Sequence, residues 1–184
     1  MVLEVEKELG GILKDESSKS ILLNGEAKEL KQAMLSLVSY FLQTNKAIIF
    51  MTVDEPYAEL DSRLKKMELE TRKILFIDAI SRPYSALESI GNCIFVNNPS
   101  NLTDMSIAVD GAMNALEDTG YVLIFDSLSV LTLYNHPQET LRFFHFLVSK
   151  IKASNTKGIF MFSGSKQKDL LEDMNQFCDL VKNV

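Results

Sequence analysis

Residues 121–131 read Tyr121-Val122-Leu123-Ile124-Phe125-Asp126-Ser127-Leu128-Ser129-Val130-Leu131. The first five residues are apolar without alternation and the run ends in a carboxylate, the pattern of a strand covered on both faces in a parallel sheet. Downstream, a helix is expected from about Asn135-His136-Pro137, with Leu141, Phe144, Val148 and Ile151 as its inward stripe. A buried strand at 158–162 follows, then a short helix carrying Leu170, Met174 and Phe177, and a final edge strand at 179–184. Upstream, Asn97, Asn98, Pro99 and Ser100 are turn and cap residues. They open a helix with Leu102, Met105, Val109, Ala112 and Leu116 on one side, stopped at Gly120.

The remaining chain repeats this alternation. Strands are expected at 21–24, 46–53, 74–80 and 93–96, the first ending at Gly25. A helix over 27–44 places Leu30, Met34, Leu37 and Phe41 inward and turns Lys28, Lys31 and Gln32 away. A second helix carries Tyr57, Leu60, Leu64 and Met67, with Asp54 at the N-cap position and Pro56 in its first turn. Arg82 and Pro83 mark a loop before a short helical or irregular piece. The first 20 residues are polar and glutamate-rich, and a leading helix and loop are expected there. Strands alternating with helices predict an α/β fold over 1–184: one domain, its mostly parallel sheet flanked by helices on both faces.

Composition narrows the function classes. Of 184 residues 46% are hydrophobic and 24% charged, ordinary values for a globular protein with one sizeable core. Eleven Phe and no Trp predict an aliphatic core filled by Phe. A net charge of −6 disfavours a broad nucleic-acid contact, which needs clustered lysines and arginines. The short basic pairs Lys65-Lys66 and Arg72-Lys73 are flanked by Glu68 and Glu70 and read as solvated helix ends. Cys93 and Cys178 have no paired spacing, so two buried, reduced thiols are expected rather than a metal or disulfide framework. His136 and His145 lack companions at ligand spacing. The Phe143-Phe144-His145-Phe146 run exceeds one narrow stripe; a core role is the first reading and a partner contact the second. Met1 to Leu9 holds three Glu and one Lys, and no apolar run reaches bilayer length. A cytoplasmic protein without a membrane span is expected.

Four strand ends carry polar residues: Asn24-Gly25, Asp54-Glu55, Asp126-Ser127 and Ser163-Gly164. Open α/β sheets bind ligands at the carboxyl ends of their strands. A strand ending in a Gly turn, another ending in two acids, and then Val122 to Ser129 together resemble the RecA/KaiC family of P-loop ATPases. The stretch Asp126 to Leu131, followed by Tyr134, Pro137, Glu139 and Thr140, is similar to KaiC-type domains in particular. The resemblance runs from about Ser20 to Val184.

One part departs from the family. Its phosphate loop reads G-x-x-x-x-G-K-[ST]: the glycines let backbone amides wrap phosphate, the lysine reaches the outer phosphates, and the hydroxyl binds Mg²⁺. Here residues 25–32 are Gly25-Glu26-Ala27-Lys28-Glu29-Leu30-Lys31-Gln32. Gly25 and Lys31 keep the spacing, Leu30 replaces the second glycine, and Gln32 replaces the hydroxyl. Strong helix formers fill 26–32, so helix is expected where the family has a loop, and Glu26 and Glu29 add charge unfavourable to phosphate.

By resemblance, Gly25, Lys31, Gln32 and Ser163 are the candidate nucleotide-binding residues, and Ser163-Gly164-Ser165 would read the terminal phosphate. Asp54 and Glu55 match the acid that activates water, and Asp126 the residue that holds magnesium through water. Each has a plainer reading. Asp54 caps a helix and Glu55 favours its dipole. Asp126 is satisfied by loop amides and by Ser127 or Ser129. Lys31 is a solvated helix lysine, and Ser163 and Gly164 are turn residues. No G-x-S-x-G elbow surrounds Ser127 or Ser129.

The reading that follows is a KaiC-like domain with a degenerate phosphate loop, a non-hydrolysing regulatory or assembly protein with no bound cofactor. A divergent domain using ATP and Mg²⁺ is the alternative, and a receiver-like or flavodoxin-like module is a third. RecA-type cores form rings or filaments, so the resemblance implies a homo-oligomer or a protein partner. DNA strand exchange is disfavoured by the acidic charge and by the short connection after Asp126.

Overall fold

The computed structural model describes residues 9–11, 13, 15–81, 89–163 and 167–184. The loop expected at Arg82 and Pro83, the piece after it, Gly164 and Ser165, and most of residues 1–14 lie outside the described residues. Of the leading segment, 9–11 and 13 are helical and 15–19 are not.

Eight strands form one sheet: β1 (Ser20–Asn24), β2 (Ala47–Thr52), β3 (Ile74–Asp78), β4 (Ser89–Ile90), β5 (Cys93–Phe95), β6 (Tyr121–Asp126), β7 (Lys157–Phe162) and β8 (Leu180–Asn183). Their spatial order is β4-β5-β3-β2-β6-β7-β1-β8. Every neighbouring pair is parallel except β4 with β5. Among the described residues, six α-helices connect them: α1 (Ala27–Gln43), α2 (Tyr57–Lys66), α3 (Leu102–Ala115), α4 (Leu128–Leu131), α5 (Pro137–Ala153) and α6 (Lys168–Asn175).

Alternate strand residues feed two cores. Ile21, Leu23, Ile48, Phe50, Ile124 and Met161 pack under α1 and α2. Leu22, Ile49, Leu123, Phe125, Phe160 and Phe162 pack under α3, α5 and α6. Phe144 of α5 meets Phe160 edge-on at 5.0 Å between ring centroids, and both rings are fully buried. Each such ring contributes about 1.5–3 kcal/mol by leaving water. Phe143 is also buried and stacks on Phe146, which is partly covered, so the Phe-rich run serves mainly as core. Cys93 is buried, whereas Cys178 is only partly so; burial pushes both thiols up to about 12.

Several sequence expectations are corrected. Asp54 does not cap α2: the helix starts three residues later, Pro56 occupies the capping position, and no side chain of that residue serves it. Instead the Tyr57 amide donates to Asp78 Oδ2 at 2.7 Å, so the cap comes from the neighbouring strand. β3 ends at Asp78 rather than at residue 80, because that carboxylate also accepts from the amides of Ile80 and Ser81 and turns the chain. Asn101, not the residues before it, caps α3 by accepting from the Asp104 amide. The two-residue strand β4, turned back through Gly91 at φ +60°, and the four-residue helix α4 were both too short to carry a period. Among the described residues, no helix is long and apolar enough to cross a membrane.

Candidate functional site

The registers place three polar strand ends side by side. Thr52 of β2 is level with Asp78 of β3 on one side and with Asp126 of β6 on the other. Their roles differ because their donors differ. Asp78 is fully buried and accepts four hydrogen bonds, from Tyr57, Ile80 and Ser81 amides and from Ser81 Oγ at 2.6 Å. It locks α2 to the sheet. Asp126 lies in a cleft where, among the described residues, no donor reaches its carboxylate. Ser127 and Ser129 pair with each other at 2.7 Å, and Ser129 accepts from the Ser163 amide at 3.1 Å. The expectation that these serines satisfy Asp126 is therefore overturned: their hydroxyls are engaged elsewhere.

The cleft encloses about 570 Å³ at the carboxyl ends of β1, β2, β6 and β7. Gly25, Glu26, Leu30 and Lys31 line one wall, and Asp54 and Glu55 the next. Asp126, Ser127, Ser129, Val130 and Leu133 form the opposite wall, and Ser163 and Gln167 close it. Glu55 is held from two sides. The Arg63 guanidinium binds its Oε2, and Lys31 Nζ stands 3.6 Å from the same oxygen. Thr52 Oγ1 donates to the Glu55 carbonyl and fixes the turn that carries both acids.

Among the described residues, the carboxylates of Asp54, Glu55 and Asp126 face the cations of Lys31 and Arg63. Burial raises Asp126 to about 7, with the charges of Asp54 and Glu55 adding and Lys31 and Arg63 opposing. Asp54 is exposed along one side, but the protein crowded on its other side and the Glu55 charge raise its carboxyl too. A proton or a cation is favoured here over an anion.

Of the candidate residues, the fold brings Gly25, Lys31, Asp54, Glu55, Asp126 and Ser163 to one cleft. Gln32 is not among its lining residues. Sequence reasoning missed Asp78, Arg63 and Gln167. Asp78 had a visible signal, since it ends an apolar run as Asp126 does. Arg63 lies two helical turns beyond Glu55 on the same α2 connection, a spacing that becomes meaningful only once the helix start is known.

The connection from β1 to α1 is short. Only Gly25 and Glu26 separate β1 from α1, and Ala27 to Gln32 are helical. Gly25 is itself covered: a Cβ there would stand 2.5 Å from the Val184 carbonyl oxygen. Among the described residues no three acids, imidazoles or thiols are placed to hold a metal.

A family model described as a family of unknown function, DUF7504, matches residues 20–183. No curated protein matches the sequence. Among solved structures, the chain is similar to uncharacterized protein PH0321 from Pyrococcus horikoshii, crystallised in complex with an unknown peptide. That match has a TM-score of 0.72 at 15% identity, over 96% of this chain and 82% of that one. It is also similar to the KaiC-like protein PH0186 from Pyrococcus horikoshii OT3, with a TM-score of 0.65 at 11% identity over 90% and 71% of the two chains. At these identities the likeness shows the fold, which is RecA/KaiC-like.

Proposed function

We propose that this chain, which belongs to the DUF7504 family of unknown function, is a RecA/KaiC-like domain that does not hydrolyse nucleotide and works as a regulatory or assembly protein. One observation carries the reading: two residues connect β1 to α1. A phosphate-wrapping loop needs several amides free of helix, and here Leu30 already donates back to the Glu26 carbonyl at 3.0 Å. Lys31 is drawn to Glu55, so the residue that would meet phosphate neutralises the residue that would activate water.

A protein partner is supported by the rim of the cleft, where Leu133 is 76% and Tyr134 44% exposed. The peptide in the PH0321 crystal is in keeping with such a role for the fold, and self-association is the other form of the proposal.

Calorimetric titration with ATP and Mg²⁺ tests the nucleotide half. No saturable heat and no phosphate release are expected, in the parent chain and in Lys31→Ala and Asp126→Ala alike. Saturable binding abolished by both substitutions would replace this reading with a divergent ATPase. Mass measurement in solution tests the assembly half, and a monomer that captures no partner would count against it.

A further inference from the structure

We propose that a second cavity, at the amino ends of the strands, binds a compact oxyanion of the phosphate class. It encloses about 420 Å³ and lies at the opposite edge of the sheet from the acidic cleft. Three lysines line it: Lys19, Lys46 and Lys157. The topology brings them together. β2, β6, β7 and β1 are consecutive in the sheet, Lys46 immediately precedes β2, Lys157 opens β7, and Lys19 immediately precedes β1.

Two of the lysines arrive by the same device. α1 ends in a turn with Asn45 at φ +59° and delivers Lys46; α5 ends in a turn with Asn155 at φ +51° and delivers Lys157. These turns flank the start of β6, since Ala47 is level with Tyr121 and Lys157 with Val122. Lys19 joins from the far side of β7, its carbonyl accepting from the Gly158 amide at 2.7 Å.

The charge balance separates the two edges. The upper cleft holds Glu26, Asp54, Glu55 and Asp126 against Lys31, while this cavity holds three lysines against Glu16 and Glu117. Three of the hydroxyls nearby already donate to carbonyls: Thr44 to Tyr40, Ser154 to Lys150, and Thr156 to Tyr121. The charged donors are the ammonium groups, which suit a small, strongly charged oxyanion better than a planar or extended one. Lys157 is half-buried and donates to the Asp15 carbonyl at 2.8 Å. Burial lowers its pKa against the opposing charge of Asp15, with Lys19 and Lys46 lowering it further and Glu16 raising it, so the lysines repel one another across the cavity.

The helix ends α1 and α5 also point their carbonyls toward this edge, which alone attracts lysines. Anion binding distinguishes the two explanations. Titration of the full chain with inorganic phosphate, followed by amide NMR, should give saturable shifts at residues 45–46 and 155–158. A parallel titration with glycerol phosphate separates the free ion from an ester of it, whichever binds more tightly. Lys46→Ala, at an exposed position that leaves the fold intact, and Lys19→Ala should each weaken binding about 5–10-fold. Lys31→Ala should change nothing. The proposal is overturned by no saturation up to about 10 mM of either probe, by equal affinity in Lys46→Ala, or by shifts that cluster at 24–31 instead.

Discussion

Lys31 Nζ stands 3.6 Å from Glu55 Oε2, an ion pair between the residue aligned with the family's phosphate lysine and one of the two acids aligned with its water-activating group. In a working site the nucleotide lies between such groups. Here Arg63 holds Glu55 from the other side, and among the described residues no ion pair reaches Asp54 or Asp126. Both cations of the cleft are thus engaged by Glu55.

Removing Lys31 should barely affect stability. Its side chain is 52% exposed and Glu55 retains Arg63, so Lys31→Ala should cost less than about 1 kcal/mol in urea unfolding. The same substitution should raise the Asp126 pKa further, because Lys31 is one of the two charges opposing its rise. Carboxyl NMR titration of the two chains checks this, and an unchanged Asp126 would refute the electrostatic picture of the cleft.

Asp126 should make stability depend on pH near neutrality. Its folded pKa of about 7 exceeds the ordinary 3.8, so the folded chain holds the proton more tightly than the unfolded one. The stabilisation is complete below pH 3.8 and is lost as pH rises through about 7. Between pH 5 and pH 8 this group should remove about 2–3 kcal/mol. Asp126→Asn should flatten that slope and stabilise the chain at pH 8, as read from urea unfolding at both values.

Asp78 should be among the most sensitive positions. Asp78→Ala leaves three amides and a hydroxyl of the β3–α2 junction without their acceptor and should cost about 3–5 kcal/mol. Asp78→Asn, which keeps one acceptor oxygen, should cost less. Equal losses would mean that shape rather than hydrogen bonding holds the junction.

Gly25 should resist substitution for a reason unrelated to phosphate. A methyl group there meets the Val184 carbonyl at 2.5 Å, a backbone atom that can yield only if the end of β8 moves. Gly25→Ala should cost about 1–3 kcal/mol. It should also speed hydrogen exchange of the Val184 amide, which donates to the Asn24 carbonyl at 2.9 Å. Unchanged exchange would free Gly25 for another role.

The order of strands and helices was legible because it rests on local periodicity. Apolar runs such as residues 121–125 and 158–162 mark buried strands wherever they lie, and the stripe Leu30, Met34, Leu37, Phe41 marks a helix face without knowledge of what it packs on. The helix formers after Gly25 likewise anticipated that α1 begins almost at once. Elements below one period, β4 and α4, left no such trace.

The site was half legible. That strand ends carry the polar residues followed from the sequence; which of them touch did not. β1 and β2 are consecutive in the chain yet separated in the sheet by β6 and β7, and crossover connections alone set that order. The pairing of Lys31 with Glu55, the cap that Asp78 lends to α2 and the cover that Val184 places on Gly25 all join residues far apart in the chain. Periodicity acts over a few residues and fixes what each segment is. Packing acts across the sheet, and only there is it decided which charges meet and which carboxylate holds its proton more tightly.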